Sequence, residues 1–281
     1  MRFPQASLLL AASMGAIVHA TNVVEVDLVF PRNETYAPTE WFPVVFAVQN
    51  VESAELLNFR IICHLYNQDD RNNSFTRIQD LRWANWSSAD PYLAYQHFSD
   101  HFNTEGRWLL KWELRWQSCD VEALTNGQGL GGMFEHYYAW GTSFAISNSA
   151  PRAFDLVAAT ANSTCPKDQN AIAINVTDTT MQAPSSVNWS DRDTCAVTTN
   201  STTPAPTPDP CRVAISADAA ASMSAALRER SCDPLRTVNP PDDCPADDES
   251  VAQPLAVLGA SWLLAASGAL GFILMQVWRF I

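Results

Sequence analysis

Residues 108–116 read Trp-Leu-Leu-Lys-Trp-Glu-Leu-Arg-Trp, with Trp, Leu, Trp, Leu and Trp at the even positions and charge at three of the four odd ones. Strand side chains alternate between faces, so this spacing predicts a strand with an apolar face on a core and a charged face in water. A slip of one residue would expose three indoles and bury the charges, which fixes the register. The segment Val24-Glu25-Val26-Asp27-Leu28-Val29-Phe30 alternates in the same way, with Glu25 and Asp27 expected on the solvent side.

Residues 44–49 and 59–66 are further strand candidates, and so is 138–146, with Tyr138, Trp140, Thr142, Phe144 and Ile146 on one side. Several short strands joined by polar, Gly-containing connections predict a mainly β fold, an antiparallel immunoglobulin-like sandwich. Between them, Asp90-Pro91 has the look of an N-cap followed by Pro at the first helical position, predicting a short helix to about residue 102. Asn126-Gly127, Gly129 and Gly131-Gly132 predict a long loop over 119–135.

Composition shifts after Asn148. Residues 171–177 read as one more strand, and 198–210 have the Ser/Thr/Pro mix of an extended, O-glycosylated segment. A helix over 215–230 follows, with Ser216 as its cap and Ile215, Ala219, Met223, Ala226 and Leu227 on one side. The division predicted is a signal peptide at 1–20, a sandwich domain at 21–148, a Cys-containing extension at 149–237 and an acidic, Pro-containing stalk at 238–254. A hydrophobic segment at 255–281 completes it.

The ends place the chain. Met1-Arg2, an apolar 6–18 and Val18-His19-Ala20 make a secretory leader with a small-residue cleavage site. Residues 255–278 carry no charge and are long enough to cross a bilayer, so this segment is expected either as a lipid-anchor signal or as a transmembrane helix. Membrane contact through it is the expected partner interaction, with cell-wall glycans as a further candidate, at the outer face of the plasma membrane or in the cell wall. The formal net charge of -13 excludes nucleic acid as a natural partner and fits a neutral or mildly acidic exterior.

Seven sequons stand at Asn33, Asn72, Asn85, Asn162, Asn175, Asn188 and Asn200, all expected at the surface. Seven cysteines in an oxidising compartment leave one over. Cys63, on the apolar face of its strand with Phe59, Ile61 and Leu65, is the expected free thiol, leaving Cys119, Cys165, Cys195, Cys211, Cys232 and Cys244 to pair. A Cys63–Cys119 bridge is the rival pattern.

Catalytic chemistry finds little support. His97 and His101 would share a helix face, the spacing zinc needs, but Phe98 stands where a zinc protease has Glu, and a surface pair is the plainer reading. His19 would suit a copper site only if it began the mature chain, and cleavage after Ala20 removes it. There is no G-x-S-x-G elbow, P-loop or dinucleotide fingerprint, no cofactor is implied, and the expectation is a protein that is not an enzyme. Of the ten tryptophans most should fill the core, while Trp83 and Trp86, flanking the Asn85 sequon, are candidates for stacking on sugar rings.

Four stretches carry a resemblance. Val-Glu-Val-Asp-Leu-Val-Phe-Pro-Arg-Asn-Glu-Thr-Tyr-Ala-Pro begins at Val24, Leu-Arg-Trp-Ala-Asn-Trp-Ser-Ser-Ala-Asp-Pro-Tyr at Leu81, Asp-Leu-Val-Ala-Ala-Thr at Asp155 and Cys-Arg-Val at Cys211. Together they resemble an uncharacterised fungal secreted domain of unknown function spanning about 24–244. The resemblance implies an extracellular fungal glycoprotein and brings no catalytic residue, cofactor or substrate. The first functional expectation is a noncatalytic glycoprotein at the cell surface or wall, serving adhesion, wall organisation or ligand capture. The alternative is a carbohydrate-binding or carbohydrate-active protein.

Overall fold

The computed structural model describes residues 22–99, 101–129, 132–151, 154–161, 170–183, 194–198, 206–233 and 244. The chain divides into two compact units, 1–231 and 232–281; of the second, Cys232, Asp233 and Cys244 are described. The first unit is built from β1 (Asn22–Phe30), β2 (Thr35–Tyr36), β3 (Trp41–Gln49), β4 (Arg60–Asn67), β5 (Ser74–Asp80), β6 (Tyr92–Ser99), β7 (Gly106–Cys119), β8 (Met133–Ile146), β9 (Ala171–Gln182) and β10 (Thr194–Thr198). The short helices α1 (Val51–Ala54), α2 (Val121–Thr125) and α3 (Leu156–Ala159) join them, and the longer α4 (Ala217–Cys232) runs to the end of the unit.

Strands β10-β9-β1-β3-β6 form one half of a large sheet and β2-β8-β7-β4-β5 the other, linked where Val197 of β10 pairs with Cys119 at the end of β7. Neighbours are antiparallel apart from β10–β7 and β2–β8. The halves face each other across a core of rings. Phe46 of β3 lies 5.4 Å from Trp112 of β7, Phe42 of β3 stacks 5.0 Å from Phe144 of β8, and Phe75 of β5 lies 5.2 Å from Phe98 of β6. Alternating apolar strands bury one face in this way, and the result is a mainly β sandwich.

The described residues between 154 and 231 build onto the sandwich rather than standing beside it. β9 pairs with β1 and β10 with β9, so two of the strands come from this region. Leu156, Val213, Ile215 and Met223 join the same buried core, and Ile215 N–H donates to Thr160 Oγ1 at 2.8 Å. β1 and β3 are consequently buried on both faces, which is why residues 42–48 read as an unbroken apolar run. α4 begins as expected, with Ser216 Oγ accepting from the Ala219 N–H at 3.1 Å, and it buries Met223 and Leu227. Its end carries a Cys232–Cys244 disulfide.

Two local expectations are corrected. Residues 92–99 are not a helix but β6, paired along β3 from Trp41↔Ser99 to Val48↔Tyr92. The Asp90-Pro91 capping signal is local and weak, whereas the run that follows pairs residue by residue with β3 and carries Ala94 and Phe98 into the core opposite Phe46 and Phe42. Residues 119–135 are not one long loop. β7 extends to Cys119, α2 is capped by Asp120 Oδ1 accepting from Ala123 N–H at 2.8 Å, and β8 begins at Met133. Gly132 permits this turn at φ 84°, and a Cβ there would lie 2.7 Å from the Leu124 Cβ. Gly132→Ala is therefore expected to cost about 2–3 kcal/mol, read as a lowered urea midpoint with an unchanged m-value.

The expected membrane partner is also corrected. Among the described residues no helix is long and apolar enough to cross a membrane, and the tail at 255–281 lies outside the described residues. Membrane attachment through that segment is not supported and takes no part in the functional reading.

Candidate functional site

The outward faces of the two halves differ. Side chains of residues 212–231 pack on the outward face of the β10-β9-β1-β3-β6 half: Arg212 reaches Glu25 of β1, Arg230 lies over the Tyr95 ring of β6, and Ser231 Oγ is 2.8 Å from His97 Nε2. Over the outward face of β5-β4-β7-β8, no described element packs. Inward residues Ile61, Cys63, Leu65, Trp108, Leu110, Trp112 and Leu114 are buried, so their odd or even neighbours point out. The register sets these neighbours in rows: Ser74, Tyr66, Leu109 and Ser143; then Thr76, His64, Lys111 and Gly141; then Ile78, Ile62, Glu113 and Ala139; then Asp80, Arg60, Arg115 and Tyr137.

This open face has aromatic platforms and fixed polar groups. Tyr137 is 74% exposed and Tyr66 39%. The Tyr66 ring stacks on His64 with centroids 6.3 Å apart, and Lys111 Nζ lies 5.7 Å from its centre. His64 Nδ1 is held 2.8 Å from Thr76 Oγ1 across the β4–β5 pair. Gly141, opposite Lys111, keeps the surface low beside them.

At one end the face drops into a notch lined by Asn58, Arg60, Arg82, Arg115, Trp116, Gln117 and Glu135. Asn58, held at φ 51°, donates from Nδ2 to Gln117 Oε1 at 3.1 Å. Arg115 is clamped between Glu113 and Glu135, and Arg82 forks onto Asp80. The Arg82 hydrogen bonds hold the Asp80 carboxyl below its usual range. Planar guanidinium, amide and carboxylate groups fixed beside exposed rings offer both donors and acceptors, a combination that suits a hydroxyl-rich ligand.

The sequence-predicted residues separate here. Trp83 is 62% exposed and directly follows Arg82 of the notch. Trp86 is not at the surface: it is buried, with its ring 5.1 Å from Tyr92 and 6.4 Å from Phe59, so it is a core residue and is withdrawn as a stacking candidate. The apolar core beneath the Asn85 sequon captured the indole while leaving Asn85 exposed. Asn33 and Asn72 are exposed too, Asn175 is half-buried on β9, and Asn162, Asn188 and Asn200 lie outside the described residues.

His97 and His101 are not brought onto one helix face. His97 sits on β6 with Nε2 2.8 Å from Ser231 Oγ and its pKa lowered by burial, then by Arg230 and Arg77. His101 stacks on Phe75 with centroids 3.9 Å apart. Among the described residues no group of three or more His, Cys, Asp or Glu converges as a metal site. Ser118 Oγ lies 2.7 Å from His136 Nε2, the spacing of a nucleophile and base, but Ser118 is buried and His136 stacks on Trp116. That pair satisfies a polar group inside the sandwich.

Cys119 is bonded to Cys195, which removes the Cys63–Cys119 alternative. Cys63 is a buried free thiol, pushed up to about 12 by burial and so unreactive. Cys211 is disulfide-bonded, and Cys165 lies outside the described residues.

One pair of charged residues was misplaced by periodicity. Glu25 and Asp27, expected in water, are buried on the covered face of β1. Asp27 Oδ2 accepts from Gln49 Nε2 at 2.8 Å, and Glu25 Oε2 lies 3.7 Å from Arg212 Nη2. Burial, then the adjacent Glu25 charge, push the Asp27 carboxyl up to about 8 against the pull of Gln49 and Arg212. Ala171 and Ala173 of β9 place small side chains beside Glu25 and Asp27 in register, and no local pattern in the sequence marks Arg212 as their partner.

No curated protein matches the chain. Among solved structures, the ASH / PapD-like domain of human CEP192 (PapD-like domain 7) aligns over 54% of this chain and 100% of its own. Its identity is 8% and its TM-score 0.21, too low for the likeness to carry an argument. The match that decides the family covers residues 19–244, and by it the chain belongs to DUF7136, a domain of unknown function.

Proposed function

We propose that this chain is a noncatalytic, extracellular fungal glycoprotein that captures carbohydrate on the open face of β5-β4-β7-β8, in the service of wall organisation or adhesion. The observation that carries this reading is the asymmetry of the sandwich. One outward face is packed by side chains of residues 212–231, while the other bears Tyr66, Tyr137 and the polar notch with no described element over it. Tyrosine rings stack on sugar rings through their apolar faces, and fixed amide, guanidinium and carboxylate groups exchange hydrogen bonds with hydroxyls. The exposed Asn33, Asn72 and Asn85 sequons and the disulfides fit an oxidising, glycosylating route.

Retention of the secreted full chain on insoluble chitin, β-glucan and cellulose tests the reading. Tyr66→Ala combined with Tyr137→Ala is expected to weaken retention by about tenfold, the equivalent of about 1.4 kcal/mol, with Tm unchanged because both rings lie outside the core. No retention on any of these polymers, or equal retention by the double variant, would sink the proposal.

A further inference from the structure

Glu25 and Asp27 point from β1 toward the segment that follows Pro210. Glu25 lies in register with Gln49 of β3 and Ala173 of β9, and Asp27 with Ala47 and Ala171. Their exposures are 2% and 0%. The groups facing them are few. Among the described residues, β3 contributes the Gln49 amide, β9 the alanines in register, and the covering segment Arg212, itself 56% exposed. The other charged side chains near the end of α4, Arg228, Glu229 and Arg230, are exposed, with Arg230 over the Tyr95 ring.

Glu25 Oε1 and Asp27 Oδ1 are buried without a donor. The two carboxyls project from the same face of β1, two residues apart, and both are buried there. Ionised carboxylates only accept hydrogen bonds, so two of them would leave both oxygens orphaned and set two buried negative charges against one half-exposed guanidinium. One proton held between them makes the missing hydrogen bond and removes one of the charges.

We propose that Glu25 and Asp27 share one proton and so form an acid-keyed clasp that holds residues 212–231 on the sheet in acidic surroundings and loosens above neutrality. The direction follows from linkage. Asp27 is raised from 3.8 to about 8 in the folded chain, so between those values the folded state keeps a proton that the unfolded chain has released. Its stabilising effect is complete below the unfolded value and is lost as pH rises through about 8. Val213, Ile215, Met223 and Leu227 hold the segment independently of pH, so the expected change is local opening rather than release.

The test is hydrogen exchange on the full glycosylated chain at about pH 5 and about pH 8.5, read as protection factors for peptides within 212–231. Wild type is expected to lose protection by about tenfold or more between the two conditions, and Asp27→Asn, whose amide supplies a donor at every pH, to lose less than about threefold. Equal protection in wild type at both pH values, or a wild-type fall retained in Asp27→Asn, would overturn the proposal. If Asp27→Asn fails to fold, Arg212→Gln at a half-exposed position decides. Without the cation the second ionisation is harder, so the midpoint of the fall should move to higher pH, and a midpoint that stays in place overturns the clasp.

Discussion

Trp112→Ala will remove about 3–5 kcal/mol of stability, a large share of the 5–15 kcal/mol typical of a domain. Trp112 is 1% exposed and sits on β7 between β4 and β8. Its ring meets Phe46 of the opposite half and Tyr138 of the neighbouring strand, each at 5.4 Å. Truncation therefore opens a cavity where the two halves meet, and the flanking strands, held in long antiparallel ladders, cannot close over it. Trp112→Phe should cost far less than alanine, since it keeps much of the packing and removes an indole N–H that has no hydrogen-bond partner. Trp83→Ala, at an exposed position, should stay within about 0.5 kcal/mol of wild type. Urea unfolding of the three variants checks the ordering. A Trp112→Ala midpoint indistinguishable from that of Trp83→Ala would mean that the halves do not pack through β7.

The same residues show how far sequence carries the fold. The alternation in 108–116 gave strand, face and register together, because each position offered two outcomes and only one buries the indoles. The alternation in β1 is as regular, and its strand forms, yet the inference about its acidic face fails. Periodicity reports which residues share a face and says nothing about what covers it. The cover for Glu25 and Asp27 comes from Arg212, almost two hundred positions later, and no local pattern encodes that distance. β6 fails for a related reason. The Asp90-Pro91 signal belongs to one turn, whereas strand pairing with β3 spans the whole of Tyr92–Ser99. The open face of β5-β4-β7-β8 was half-legible: β4 and β7 were readable, but β5, with Ser, Thr, Arg, Gln and Asp among its seven residues, has too little apolar content to announce a strand. Without β5 the rows containing Tyr66 and Arg60 have no edge, so the open face could not be assembled from sequence.

Replacing both Cys119 and Cys195 by Ala is expected to cost about 4 kcal/mol, the chain-entropy value for a closed loop of 76 residues. The structure explains why this bond should matter more than its neighbours. β10 is only five residues long and meets β7 at the single pair Val197↔Cys119, so hydrogen bonding alone joins the two halves weakly at this edge. Cys119 and Cys195 are both buried and form a small cluster with Met133 and Ala183, so the bond also anchors a minor apolar patch. The Cys232–Cys244 bond closes a loop of 12 residues and belongs to the second compact unit, so its removal should leave the unfolding of the sandwich nearly unchanged. Cys63→Ala should cost about 1 kcal/mol, since a buried free thiol packs as a small apolar group. Thermal unfolding of the three variants under non-reducing conditions separates these expectations. Equal losses for the Cys119/Cys195 and Cys232/Cys244 pairs would show that loop length and position do not set the stabilisation, and would return the closure of the sandwich to β-pairing alone.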